Sequence, residues 1–135
     1  MIEKEPMTLL EEYSKEIEID TQIDVTNVME KQLSAPNVKH KWLFRLMKSK
    51  KALLDLIELK DNFLNGVLLK DNPLKLSKAV VASKLETQAD FKNIQKKIKE
   101  QELLVEFLDG AVNKIFTQIG FDFKNIVELM KMEQL

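Results

Sequence analysis

Six Lys or Arg, one His and one Trp fall between residues 39 and 51, in the run KHKWLFRLMKSKK, with no acid among them. Side chains of these types in this pattern neutralise a polyanion, and an aromatic ring set among cations stacks on an unpaired base. Drawn on a helix, Lys41, Arg45 and Lys48 share one side at i, i+4 and i+7. Lys39 precedes that row, Lys51 extends it, Lys50 lies to one flank, and Trp42 lies beside it. Lys92, Lys96 and Lys99, with Lys97 adjacent, repeat the spacing further on. If the two segments pair as helices, both stripes can line one groove that holds DNA. The competing reading is a solvated surface, in which Lys-rich faces only solubilise the protein and Trp42 belongs to the core.

Other chemistries lack their parts. His40 has no Cys or carboxylate at ligand spacing, so it reads as a surface His and no metal is expected. Three scattered Gly make no phosphate-cradling loop. The carboxylates alternate with Lys as solvated helix faces do. With no Cys there is neither a disulfide framework nor a thiolate. The expectation is a protein that is not an enzyme and takes no cofactor. No stretch approaches the length of a membrane-spanning helix, and MIEKEPMTLLEEY has no apolar signal region, so the bacterial cytoplasm is the expected location, with no membrane partner.

The elements that must position these residues are helical. Of 135 residues, 44% are hydrophobic and 32% charged, with only three Gly and three Pro, the profile of a single mainly α domain. The formal net charge of −1 hides a segregation: residues 1–30 hold nine acids and two bases, whereas residues 31–51 hold seven bases and no acid. Local field rather than net charge steers a ligand. A first helix is expected over Thr8 to Ile19, started by a Thr8/Glu11 capping box. Residues 20–37 read as a connector closed by Ala35-Pro36-Asn37, completing an acidic N-terminal part over residues 1–37. A long basic helix follows over 38–66, with Leu43, Leu46, Leu53, Leu56 or Ile57, and Phe63 or Leu64 at helical spacing and Gly66 as its C′ residue. The periodicity is lost over 67–84, where Lys70-Asp71-Asn72-Pro73 predicts a small extended or hairpin insert.

The second long helix, 85–119, carries the strongest pattern. Phe91, Ile94, Ile98, Gln101, Val105, Leu108, Val112, Ile115 and Ile119 alternate spacings of three and four, a heptad seam with one polar residue. Gly120 is expected to end it, leaving a C-terminal assembly segment, 120–135, with a short helix over Phe123 to Met132 capped by Asp122. Leu103, Leu104, Phe107, Ala111 and Phe116 make a second apolar stripe. One antiparallel hairpin cannot bury both, so a homo-oligomer is expected.

The C-terminal third, ADFKNIQKKIKEQELLVEFLDGAVNKIFTQIGFDFKNIVELMKME, resembles the UvsY-type recombination mediators of T-even-type bacteriophages. Phe121-Asp122-Phe123-Lys124-Asn125-Ile126 matches a late aromatic-Lys-Asn signature, and Pro36 followed by KHKWL resembles the start of the family's basic helix. NFLNG, residues 62–66, matches its end. The resemblance covers about residues 20 to 135 and implies a ring-like helical homo-oligomer, a hexamer or heptamer, that binds single-stranded DNA. It implies as partners a RecA-like recombinase of the UvsX type and the single-strand-binding protein that the recombinase displaces, in the host bacterial cytoplasm. The family's DNA-contacting bases lie late in the first long helix. One matches Lys60, but Glu58 stands where another is expected, and the positive charge here lies upstream. Assembly through the C-terminal helix implies Phe121, Phe123, Ile126 and Met130 as contacts between copies, with Ile115 and Ile119 leading into them. The alternatives are a helical structural or interaction oligomer that binds no nucleic acid, or another phage replication-accessory protein.

Overall fold

The computed structural model describes residues 4–70 and 72–133, and every regular element there is helical. In order these are α1 (Pro6–Asp20), α2 (Val28–Lys70), α3 (Lys78–Leu85), α4 (Ala89–Gly110), a π-helical turn (Ala111–Ile115) and α5 (Phe116–Glu133). The α2 helix pairs antiparallel with the continuous rod formed by α4, the π turn and α5. Phe63 meets Phe91 with ring centroids 6.0 Å apart. Ser49 O accepts from Gln101 Nε2 at 2.9 Å, Trp42 lies 6.5 Å from Phe107, and Val28 packs with Ile119 and Phe123. Residue numbers therefore fall along one rod as they rise along the other, which is the antiparallel hairpin expected. Among the described residues, no helix is long and apolar enough to cross a membrane.

Three clusters hold the layers together. The central one joins Ile17 of α1, Trp42 and Leu46 of α2, and Leu104, Leu108, Ala111 and Val112 of the second rod. Toward the loop end, Leu64, Val81, Leu85 and Phe91 bury one another. Toward the other end, Val28, Ile119 and Phe123 do so. Gln101, the polar residue on the heptad seam, is buried and satisfied by the Ser49 carbonyl, so its hydrogen bond fixes register where a Leu would only fill space.

The element boundaries depart from the sequence reading, each for a local reason. Helix α1 begins two residues early because Pro6 occupies its first turn after an extended Glu5, a position for which proline is preorganised; the Thr8 side chain caps nothing. The connector is only residues 21–27. There Asp24 Oδ1 accepts from the Thr26 and Asn27 amides at 2.8 and 3.1 Å, and Asn27 Oδ1 accepts from the Asp24 amide at 2.8 Å. This closed turn starts α2 at Val28, and the helix carries Pro36 inside it. Burial of Val28 against the far rod outweighs the hydrogen bond the proline removes.

Helix α2 also runs through Gly66 to Lys70, so Gly66 is not a C′ residue. The insert contains no strand among its described residues. Asn72 ties down the Leu76 amide and carbonyl, both at 2.9 Å, and Ser77 caps α3. That helix turns Val81 and Leu85 inward at i and i+4, and α4 then starts at Ala89 rather than Leu85.

Gly120 does not end the second rod, nor does Asp122 begin a separate helix; α5 passes through both. The π turn advances the inward face by about one residue. Ile115, expected on the seam, is therefore 37% exposed, while Phe116 packs inward and Ile119 and Phe123 stay buried. A Cβ added at Gly110 or Gly120 meets nothing within 4 Å, so no close helix approach explains either glycine. Gly120→Ala is accordingly expected to stabilise the protein by about 0.5–1 kcal/mol, seen as a higher melting temperature at fixed protein concentration. A lower melting temperature would show that copies of the chain meet closely there.

Candidate nucleic-acid interface

The basic stretch lies on α2, but α1 divides it. Helix α1 folds back into the groove between α2 and α4 and presents two carboxylates one turn apart, Glu16 and Asp20. Lys41 Nζ donates to Asp20 Oδ2 at 2.6 Å and to Glu16 Oε1 at 3.1 Å. Arg45 makes a bidentate pair with Glu16, whose longer arm is 3.2 Å. Trp42 is 0% exposed, and its Nε1 donates to Asp20 Oδ2 at 2.8 Å. The Arg45 guanidinium lies 4.5 Å from the Tyr13 ring centroid and 4.8 Å from that of Trp42, beside the edge-on pair these two rings make. Three of the sequence-predicted DNA contacts are thus committed within the fold. Trp42 in particular is core and is closed to a base.

The electrostatics of this clamp are consistent with its geometry. The Arg45 guanidinium holds Glu16 below its ordinary value of 4.5, against an opposing effect of partial burial. For Asp20, burial raises the pKa, but the hydrogen bonds from Lys41 and Trp42 outweigh it and leave it below 3.8. Burial lowers Lys41, and the hydrogen bonds to Asp20 and Glu16 more than restore it, above 10.5. The carboxylates therefore contribute stability that is complete above their ordinary values and is lost as the pH falls through the depressed ones. Lys41 contributes below 10.5 and loses its contribution only above that. Stability is expected to be flat across neutral pH and to fall below about pH 4.5. A Glu16→Gln/Asp20→Asn variant is expected to be weaker at neutral pH and to lose less on acidification, as followed by urea midpoints over that range. An equally steep acid loss in the variant would place the effect elsewhere.

The remaining candidates divide by exposure. Lys39, Lys48, Lys50 and Lys51 are exposed on α2, where Lys51 faces Asp55 at 3.7 Å in a solvent-screened pair. Lys60 is half-buried, its Nζ 5.7 Å from the Phe91 ring centroid, so it caps the loop-end cluster. Lys92, Lys96 and Lys99 are exposed on the face of α4 turned away from Phe91, Ile98 and Gln101, the residues that meet α2. Lys41 and Arg45 thus turn to α1 while Lys48 and the α4 stripe lie on outer faces of the hairpin, so the two stripes do not line one intramolecular groove. Of the six assembly candidates, Ile119 and Phe123 are buried against the protomer's own Val28, with Ile126 and Met130 half-buried beside them. Ile115 and Phe121, the latter 60% exposed, stay at the surface.

Two features escaped the sequence reading. The acidic partners carried a usable signal, since Glu16 and Asp20 repeat the four-residue step of Lys41 and Arg45 with opposite sign. Phe44 carried none beyond its place inside the basic run.

The chain matches no protein-family model and no curated protein. Among solved structures it is similar to the bacteriophage T4 recombination mediator protein UvsY, with a TM-score of 0.79 and 22% sequence identity, covering 92% of this chain and 98% of that one.

Proposed function

We infer that this chain is a recombination mediator: a non-enzymatic helical protein that binds single-stranded DNA and helps a RecA-like recombinase assemble on strand covered by single-strand-binding protein. One observation carries the reading. A chain with the UvsY fold over nearly its whole length also keeps, in an acid-free stretch, four exposed lysines that its own carboxylates leave largely free. Each protomer then neutralises only a few phosphates, so a single site binds weakly and yields to salt. A ring of copies repeats the site, and effective concentration turns weak contacts into useful affinity while letting the strand be handed over one segment at a time. Ile115, Phe121, Leu129 and Met132 are exposed along the end of the second rod and are the apolar surface for such an assembly.

A second reading, a helical interaction oligomer that binds no nucleic acid, draws support from the internal pairing of Lys41, Trp42 and Arg45. The deciding experiment measures recombinase filament formation on oligo-dT pre-covered with single-strand-binding protein, with and without this protein, beside direct binding to bare oligo-dT. Faster filament formation together with salt-sensitive strand binding supports the mediator. Assembly without strand binding at low salt leaves the interaction oligomer.

A further inference from the structure

With Trp42 in the core, the aromatic residue of the basic stretch that faces solvent is Phe44, 64% exposed and outside all three apolar clusters. The helical period sets His40, Phe44, Lys48 and Lys51 on one outer face of α2, turned away from the Trp42, Leu46 and Ser49 face that meets the second rod. Met47, 58% exposed, widens the apolar surface beside the ring. Side chains four apart on a helix stand about 5–6 Å apart at Cβ, so the Lys48 stem reaches a phosphate next to a group lying on Phe44. Lys51, seven residues on and about 10 Å along the axis, reaches the following phosphate in exchange for its solvent-screened contact with Asp55.

The geometry points to Phe44 as the stacking platform for an unpaired base, with Lys48 and Lys51 holding the adjoining phosphates. This rests on the single-strand reading above and adds to it the residue that distinguishes a nucleic acid from any other polyanion. Charge selects the occupant. A second copy meeting this face through the same face sets lysine against lysine, whereas a single strand brings phosphate to the cations and a π-face to the ring. Because every base has a π-face, the site reads no sequence.

The test uses the full chain and two labelled probes of equal length, oligo-dT and an abasic phosphodiester strand. The unmodified protein is expected to hold oligo-dT about five- to a hundredfold more tightly than the abasic strand. Phe44→Ala is expected to erase that difference, leaving abasic affinity, salt dependence, sedimentation and the emission of the buried Trp42 unchanged. Phe44→Trp is expected to keep the difference and to add a quenched emission on oligo-dT. If Phe44→Ala keeps the preference for bases, or weakens both strands alike, stacking on Phe44 is wrong while strand binding stands. If it changes sedimentation, the face is a contact between copies and the proposal falls. If the unmodified protein binds neither strand at low salt, the single-strand reading falls, and this one with it.

Discussion

Trp42→Ala is expected to cost roughly 3–5 kcal/mol of stability, the range for truncating a large buried aromatic side chain. The indole is 0% exposed and makes edge or tilted contacts with Tyr13, Phe107 and Phe116. Its removal opens a cavity where α1, α2 and the second rod meet. It also takes a donor from Asp20 and one aromatic face from Arg45. A domain of ordinary stability has only about 5–15 kcal/mol in hand, so a large part of it goes at once. Trp42→Phe retains most of the ring and loses the N–H, and is expected to cost about 1–3 kcal/mol. Urea unfolding followed by far-ultraviolet circular dichroism at one fixed protein concentration measures both, since self-association stabilises by mass action. A Trp42→Ala variant within about 1 kcal/mol of the unmodified chain would contradict the packing described.

Reversing Lys48 and Lys51 together to Glu is expected to lower affinity for oligo-dT at least about tenfold at low salt, with little change in stability because both side chains are exposed. A site neutralising about three phosphates on a single strand has a slope of log K against log salt near −2, so a fourfold rise in salt costs about twentyfold in affinity. Removing two of those contacts flattens the slope by about 1.4. Lys41→Ala and Arg45→Ala provide the contrast. Their cations face Glu16 and Asp20, so these variants are expected to lose stability while the salt slope is kept. Anisotropy titrations across salt, paired with unfolding curves, separate the two classes. Loss of strand binding on Arg45→Ala with stability intact would return the site to the inner row.

The hairpin was legible because its signal is periodic. Phe91, Ile98, Gln101, Leu108 and Val112 repeat at heptad spacing, and a spacing kept over so many turns specifies a buried seam whatever the partner. The element ends were poorly legible because they depend on competition. Pro36, Gly66 and Gly120 are local stop signals, yet each sits inside a helix whose burial at Val28, Leu64 and Ile119 outweighs about 1–3 kcal/mol of local preference. The π turn left no mark in the sequence, since one inserted residue looks like any other until the seam beyond it is seen to have shifted.

The site divides the same way. By itself the sequence determined that positive charge is gathered on one helix, that acids precede it, and that no metal-ligand or nucleophile pattern accompanies it. These are statements about residue types and spacing along one chain. Which cations are free was decided only by the tertiary structure, because α1 closes on the groove and sets Glu16 and Asp20 against Lys41, Arg45 and Trp42, residues more than twenty positions away. The same closure chose between the two aromatics: the indole went inside, where its N–H found a carboxylate, and the Phe44 ring stayed outside among the lysines. A helical period ranks the faces of a helix, but which face is covered depends on what packs there, and that is a property of the folded chain.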